Sequence, residues 1–410
     1  MPDWDVIVIG AGAAGLLAAT RAAERGRRTL LIEKNRRPGV KILMSGGTRC
    51  NLTQATDARR IVDAFGSQGK FLHSALAALG PRDLVDLVEA EGVPTKTEAT
   101  GKIFPVSDKA ADVLAALVGR LERSGCILSC DESVTAIDRD EGHFVIATGS
   151  RSVTAGAVVI TTGGRSYPGC GTTGDGYAWA ARLGHTIVPA RPALVPIEAN
   201  LAWVRDLKGI TVGDVTVAVV PRGSKELLAS RRGSLLFTHF GLSGPAVLDV
   251  SRAVTGYEQP ASLDLVCDFL PARTDEAFHD VLRQEALAAG KKAVSSILPA
   301  ELPRRLVDAL LGMAQVAGDL RCAELGRAAR ERLVQAFKHC AIPVAGTLGF
   351  KKAEVTAGGV SLAEVDSRSM ESRLVSGLYL AGEVLDLDGP IGGYNFQAAF
   401  STGWLAGGCA

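Results

Sequence analysis

Asp5-Val6-Ile7-Val8-Ile9-Gly10-Ala11-Gly12-Ala13-Ala14-Gly15 decides the fold. The β-branched run before Gly10 suits a strand buried on both faces of a parallel sheet. Leu16 to Arg25 then reads as a helix stopped by Gly26, and Thr29 to Ile32 as a second strand. A G-x-G-x-x-G match acquires meaning only between a strand and a helix, and this one has both. Gly10 permits the tight turn, Gly12 lets backbone approach a pyrophosphate, and Gly15 lets the helix pack against the strand. The helix start at Ala13 and Ala14 offers free N–H groups and a positive dipole end to phosphate. Glu33, followed by Lys34, ends the second strand, where a carboxylate accepts ribose hydroxyls and repels a 2′-phosphate. The turn therefore favours FAD or NAD over NADP.

The bulk numbers exclude more than they assign. With 410 residues, 47% apolar and 22% charged, the chain is globular, with room for two or three domains. Forty-five basic residues against forty-four acidic ones leave a net charge of +1. That balance supplies no overall field for nucleic acid or membrane, so an RNA partner is neither supported nor excluded. No basic-then-apolar leader precedes the first strand, and no run of roughly 18 or more apolar residues occurs. Eight scattered cysteines form no C-x-x-C pair. Neither metal nor disulfide is expected, and the location expected is the cytoplasm. Nothing sets an oligomeric state.

Further along, Asp57 to Gly92 is helical in pattern, Asp108 to Ser124 is an amphipathic helix, and short strands run from Ile127 to Ile160. The texture turns β-rich over 189–270 and helical over 271–345, then returns to strands and a Gly-rich helix start. The expected fold is α/β: a split, doubly wound, Rossmann-like nucleotide-binding domain (1–188 and 346–410). It carries an inserted β-rich, barrel-like part (189–270) and a helical part (271–345). A second match, Gly169-Cys170-Gly171-Thr172-Thr173-Gly174, lacks a strand directly before it and an acid after it. It is expected to be a loop beside the first turn.

Three segments carry a resemblance. The N-terminal turn, Thr162-Gly163-Gly164, and Gly377-Leu378-Tyr379-Leu380-Ala381-Gly382-Glu383 resemble the FAD-contacting motifs of glutathione-reductase-like flavoproteins. Four longer stretches resemble the BaiN-like, aminoacetone-oxidase-family bacterial flavoproteins: 41–53 (KILMSGGTRCNLT), 237–245 (FTHFGLSGP), 358–360 (GGV) and 382–397 (GEVLDLDGPIGGYNFQ). Thr48 stands where that family's pattern has Gly. The resemblance implies an FAD, with the loop bearing Lys41, Ser45, Gly46, Arg49 and Asn51 wrapped around pyrophosphate and isoalloxazine. It implies Thr162, Gly163 and Gly382 as further contacts. Lys34 is expected with Glu33 among the cofactor-binding residues, and Val134, on a strand packed near the first turn, is expected to flank the adenine. Glu383 can accept from ribityl hydroxyls. Gly392, Gly393, Tyr394, Asn395 and Phe396 open a helix whose N–H groups can face the N1–C2=O edge, where negative charge grows on reduction. The insert is expected to roof the isoalloxazine.

For a catalytic group the residues offer only His239, Tyr167 and Cys50: a loop histidine, a phenol able to donate to a carbonyl, and a thiol. The resemblance implies an NAD(P)H-driven reductase acting on an enone or similar C=C bond, with NAD(P)H bound transiently and a small-molecule substrate. Its alternatives are an oxygen-using amine oxidase and a uridine reductase acting on ribosomal RNA. A flavin-binding protein without catalysis is the rival of a different class.

Overall fold

β1 (Trp4–Ile9) lies inside a mixed sheet, parallel to both of its neighbours, and every residue from Val6 to Ile9 is buried. The computed structural model describes residues 2–140 and 142–410. After β1 come α1 (Ala13–Glu24), β2 (Thr29–Ile32), α2 (Val40–Thr48), α3 (Ala110–Arg123) and β3 (Ile127–Ser129). A meander follows: β4 (Val134–Asp140), β5 (His143–Thr148) and β6 (Ser152–Ile160). Then come α4 (Asp175–Arg182), β7 (Ile187–Ala193), β8 (Val355–Val360), β9 (Leu378–Leu380) and α5 (Tyr394–Cys409). The sheet order is β3-β2-β1-β6-β5-β4, with β9 also beside β6. β6 serves two neighbours along its length. Residues 152–155 pair antiparallel with β5, and Val158–Ile160 pair parallel with β9.

β9 thus brings a segment from near the C-terminus to the strand after which the middle Gly-rich loop begins. Glycine lets the last helix come as close. A Cβ on Gly403 or Gly407 would lie 2.2 Å from Ala14 O or 2.0 Å from Ala18 O, so α5 rests directly on the backbone of α1. A small antiparallel sheet (Thr53–Gln54, Thr95–Thr97, Lys102–Pro105) completes this half. Its second and third strands fall in a stretch to which the sequence reading assigned no structure.

By contacts the chain divides into residues up to Pro192 with Glu354–Ala410, and Ala193–Ala353. The junctions fall later than 188 and 345 because β7 pairs with β8, which keeps both strands with the nucleotide-binding unit. The second unit holds a seven-stranded antiparallel sheet from Ile197–Glu198 to Gly346–Thr347. Its β and helical parts are not separate. Val217 and Leu265 on strands share one core with Phe278, Leu306 and Phe337 on helices, and helix Pro245–Thr255 lies inside the β-rich stretch. Among the described residues no helix is long and apolar enough to cross a membrane.

One buried polar cluster ties the ends of α4 and β9 together. His185 Nε2 lies 2.8 Å from Ser372 Oγ, and its Nδ1 lies 3.3 Å from the Glu364 carboxylate. Ser372 Oγ already accepts from the N–H groups of Leu374 and Val375. Its own proton therefore goes to Nε2, and Nδ1 carries the ring hydrogen. Burial pushes the imidazole below its ordinary 6.5, outweighing Glu364. The unfolded chain then binds this proton more readily, so the cluster's stabilisation is present above 6.5 and lost as pH falls below it. We expect the urea midpoint to drop between about pH 8 and about pH 5, and His185→Gln to shrink that drop. An unchanged acid slope in the variant would remove His185 from this role.

Candidate functional site

The three glycines of the first turn are required for three different reasons. Gly10 has φ +100°, and a Cβ there would meet Thr161 O at 2.9 Å. At Gly15 a Cβ would lie 1.8 Å from Gly10 O, so only glycine lets α1 start against the turn. Gly12 has nothing within 4 Å of an added Cβ: it borders open space. Gly12, the cap residue of α1, has no side chain, and the first turn of the helix holds no acidic residue; the Glu33 carboxylate sits just ahead of it, on the Ala11 N–H.

Glu33 braces this turn. It is 7% exposed; Oε2 accepts from Ala11 N–H (2.7 Å), and Oε1 accepts from the N–H and Nδ2 of Asn35. One acceptor position on Oε2 is left for a ribose hydroxyl. The backbone N–H of Glu132 bonds to Glu33 O, which brings the chain leading into Val134 beside it. Lys34 turns toward the other Gly-rich loop, donating to Thr173 Oγ1 and Asp175 Oδ2. Asn35 Nδ2 bonds to Cys170 O, so the 169–174 loop packs beside the first turn.

The middle and C-terminal segments converge here as well. Thr161 Oγ1 bonds to Ile9 O and Gly10 O, fastening the end of β6 to the turn. The next residue, Thr162, has a buried hydroxyl without a partner, and Gly163 has φ +71°. Gly382 sits on α1, its Cβ position 2.8 Å from Ala14 Cβ. Gly392 and Gly393 have φ +129° and +97°, and Gly393 starts α5 with no side-chain cap. In the amide orientation that satisfies both ends, Asn51 offers its oxygen to Gly393 N–H (2.9 Å) and its nitrogen to Thr53 O. Asn395 does not face outward; it closes its own loop through Gly389 N–H and O. Tyr394 packs partly buried against the core of this unit, and Phe396 stacks on Phe400.

The segment expected as a loop around Lys41 opens with one short helical stretch that holds Lys41, and from Ser45 to Cys50 its backbone is mostly non-helical. α2 breaks at Ser45, Gly46 and Gly47, and Ser45 Oγ donates back to Ile42 O. Lys41 donates to Glu383 and Ser166. Arg49 is directed to Glu98 and Asp108, with its guanidinium 4.0 Å above the Phe104 ring, so it serves as an ion-pair partner. Thr48 has φ +70°, a backbone state that costs a β-branched residue dearly and suits the family's glycine.

Of the proton-transfer candidates, Cys50 is fully buried and burial pushes its thiol up to about 12, so it is no thiolate. Tyr167, at φ +54°, has a phenol raised by burial and by Glu354 and Cys170, so it stays protonated. His239 lies in the second unit, exposed on the loop between strands Ala229–Phe237 and Gly241–Ser243, edge-on to Phe240. Sequence reasoning missed Ser166, Thr356 and the buried Gln397. Gln397 accepts from Thr53 Oγ1 and donates to Leu79 O and Ser401 Oγ. The only hint was their place within or beside the quoted motifs.

An FAD fits these residues: open space over Gly12, two helix starts with glycine cap residues on one framework, and an unpartnered Thr162 hydroxyl beside them. Gly10, Gly12, Ala13, Ala14 and Gly15 would hold the diphosphate, Glu33 the ribose, and the start of α5 the flavin. Gly12→Asp would put a carboxylate into the open space, and we expect purified variant to carry under a tenth of the wild-type flavin. Full flavin content would displace the diphosphate from this turn. Thr48→Gly should relieve about 1–2 kcal/mol of left-handed strain against about 0.5–1 kcal/mol of added chain entropy. A denaturation midpoint higher by about 0.5–1 kcal/mol equivalent would bear this out, and a lower one would refute it.

Comparison with known proteins bears on the family and the fold. Residues 4–409 match the family described as HI0933-like protein Rossmann domain. The ribosomal RNA dihydrouridine synthase of Escherichia coli is 36% identical over 405 residues, 98% of this chain and 97% of that protein. The 3-dehydro-bile acid delta(4,6)-reductase of Clostridium scindens is 33% identical over 408 residues, again 98% and 97%. In fold, the chain is similar to Mycobacterium smegmatis Sdh1, at 19% identity and TM-score 0.51, covering 99% of this chain and 68% of that one. The chain belongs to the HI0933-like family and is an FAD-dependent oxidoreductase with a Rossmann-like FAD-binding domain.

Proposed function

We propose that this oxidoreductase reduces a carbon–carbon double bond conjugated to a carbonyl, with NAD(P)H as a transient electron donor. One observation carries this reading. Two of the full-length relatives bear names with unrelated substrates, yet those names describe one bond chemistry. Dihydrouridine forms when the uracil C5=C6 bond, conjugated to the C4 carbonyl, is saturated. A delta(4,6)-reductase of a 3-oxo steroid acid saturates bonds conjugated to the C3 ketone.

Bound FAD supplies hydride transfer; the protein supplies orientation, electrostatics and a proton. A hydride added β to the carbonyl and a proton added at the α carbon complete the saturation. As carbonyl donor we propose Tyr167, whose burial keeps its phenol protonated. The 169–174 loop is occupied by Lys34 and Asn35, which supports a nicotinamide that visits rather than one held in a second dinucleotide fold.

Anaerobic mixing with NADH or NADPH should bleach the flavin. Adding a 3-oxo-Δ4 steroid in one arm, and uridine-containing ribosomal RNA in the other, should restore its colour in at least one. Tyr167→Phe should slow that restoring step about 10²–10⁴-fold and leave bleaching unchanged. Flavin that oxygen reoxidises and neither acceptor does would favour the amine-oxidase alternative, and flavin that neither nicotinamide reduces would end the reading.

A further inference from the structure

A charge cluster in the first unit is left over by the binding of diphosphate. Lys41 Nζ donates to Ser166 Oγ (2.7 Å) and Glu383 Oε2 (2.5 Å). Ser166 Oγ donates to Glu383 Oε1 (2.7 Å), and so does the Thr356 N–H (2.8 Å). Ser166 is fully buried, while the Lys41 and Glu383 side chains are 25% and 18% exposed. The fit is close: a Cβ on Gly164 would lie 3.0 Å from Glu383 Oε1 and 2.4 Å from Thr356 Oγ1. Four chain segments thus fix one ion pair in one geometry. Glu383 directly follows Gly382, which rests on Ala14 of α1.

Two consequences follow from the chemistry of these groups. A carboxylate has about four acceptor positions, and three on Glu383 are filled by the protein. A ribityl hydroxyl would find one left, the same number that Glu33 leaves for the ribose, so ligand binding does not account for the other three. Lys41, for its part, is not a bare cation. Its charge is offset by the carboxylate it touches, and the pair presents no net charge to whatever lies beside it.

We propose that Lys41 and Glu383 are opposed electrostatic controls on the reduction potential of bound FAD, set against each other so that neither charge acts alone. The proposal rests on FAD lying over Gly12 and the start of α5. Reduction adds negative charge to the flavin, so a lone carboxylate beside it opposes reduction and a lone ammonium favours it.

Dye-equilibration potentials of FAD-loaded variants test this. Glu383→Gln keeps the side chain's shape and leaves Lys41 unbalanced; it should favour the reduced flavin by about tenfold, near 30 mV for a two-electron couple. Lys41→Met should disfavour it by a similar factor, and the double variant should return to within about threefold of wild type, near 15 mV. A pair whose role is only to hold the fold would shift both single variants in the same direction or not at all, and either result overturns the proposal. If Lys41→Met does not retain FAD, the sign for Glu383→Gln decides alone. Failure of the underlying placement is separate, since it shows as full flavin content in Gly12→Asp.

Discussion

The close approach of backbones at α1 is the constraint on which the rest of the structure depends. Gly15 lets this helix start on the carbonyl of Gly10, while Gly403 and Gly407 let α5 lie on the carbonyls of Ala14 and Ala18. Side chains at any of these points would hold the elements apart. With them absent, two helix N-termini whose cap residues are the glycines Gly12 and Gly393 belong to one framework, joined through β1, β6 and β9. Glycine costs conformational entropy on folding, and α5 is unusually rich in it for a helix. That cost is offset by what the packing positions.

The acidic groups in this unit brace the fold more than they bind. Glu33 holds Ala11 and Asn35. Close by, Glu132 accepts from Ser129, Thr148 and both sides of the Arg151 guanidinium, which hold its carboxyl down at about 2. Charge-assisted bonds of this kind are worth roughly twice a neutral one, and here they shape the crossing from β3 into β4. The same rule operates at Glu383. A carboxylate at a strand end is readily assigned to a ligand from sequence, but a folded chain fills its acceptor positions first.

This explains what was legible in the sequence and what was not. The opening turn could be read because each glycine has a separate backbone reason, and those reasons depend on neighbours in sequence. The α/β class, the split of the nucleotide-binding domain and the helix start after Gly392-Gly393 follow from similar local signals. Partners distant in sequence were hidden. Nothing near Arg49 announces Glu98, Asp108 and the Phe104 ring, and nothing near Asn395 reveals that its amide turns back on Gly389. The helical start of α2 was obscured by Ser45-Gly46-Gly47, which reads as loop and is non-helical, and which ends the short helical stretch holding Lys41.

The fate of the cations bears on how this site holds an anion. Three were natural candidates for phosphate: Lys34, Lys41 and Arg49. Each is committed to a carboxylate of this chain, Lys34 to Asp175, Lys41 to Glu383, and Arg49 to Glu98 and Asp108. Attraction for a diphosphate over Gly12 would then fall to backbone N–H groups and helix dipoles, which are fixed by the packing of α1 and α5 and need no side-chain ordering. Directed hydrogen bonds at short range are less sensitive to salt than free lysines on a surface. An anion site built this way depends on the backbone of α1 and α5 more than on any charged side chain, which returns the question of cofactor affinity to the glycines that let those helices meet.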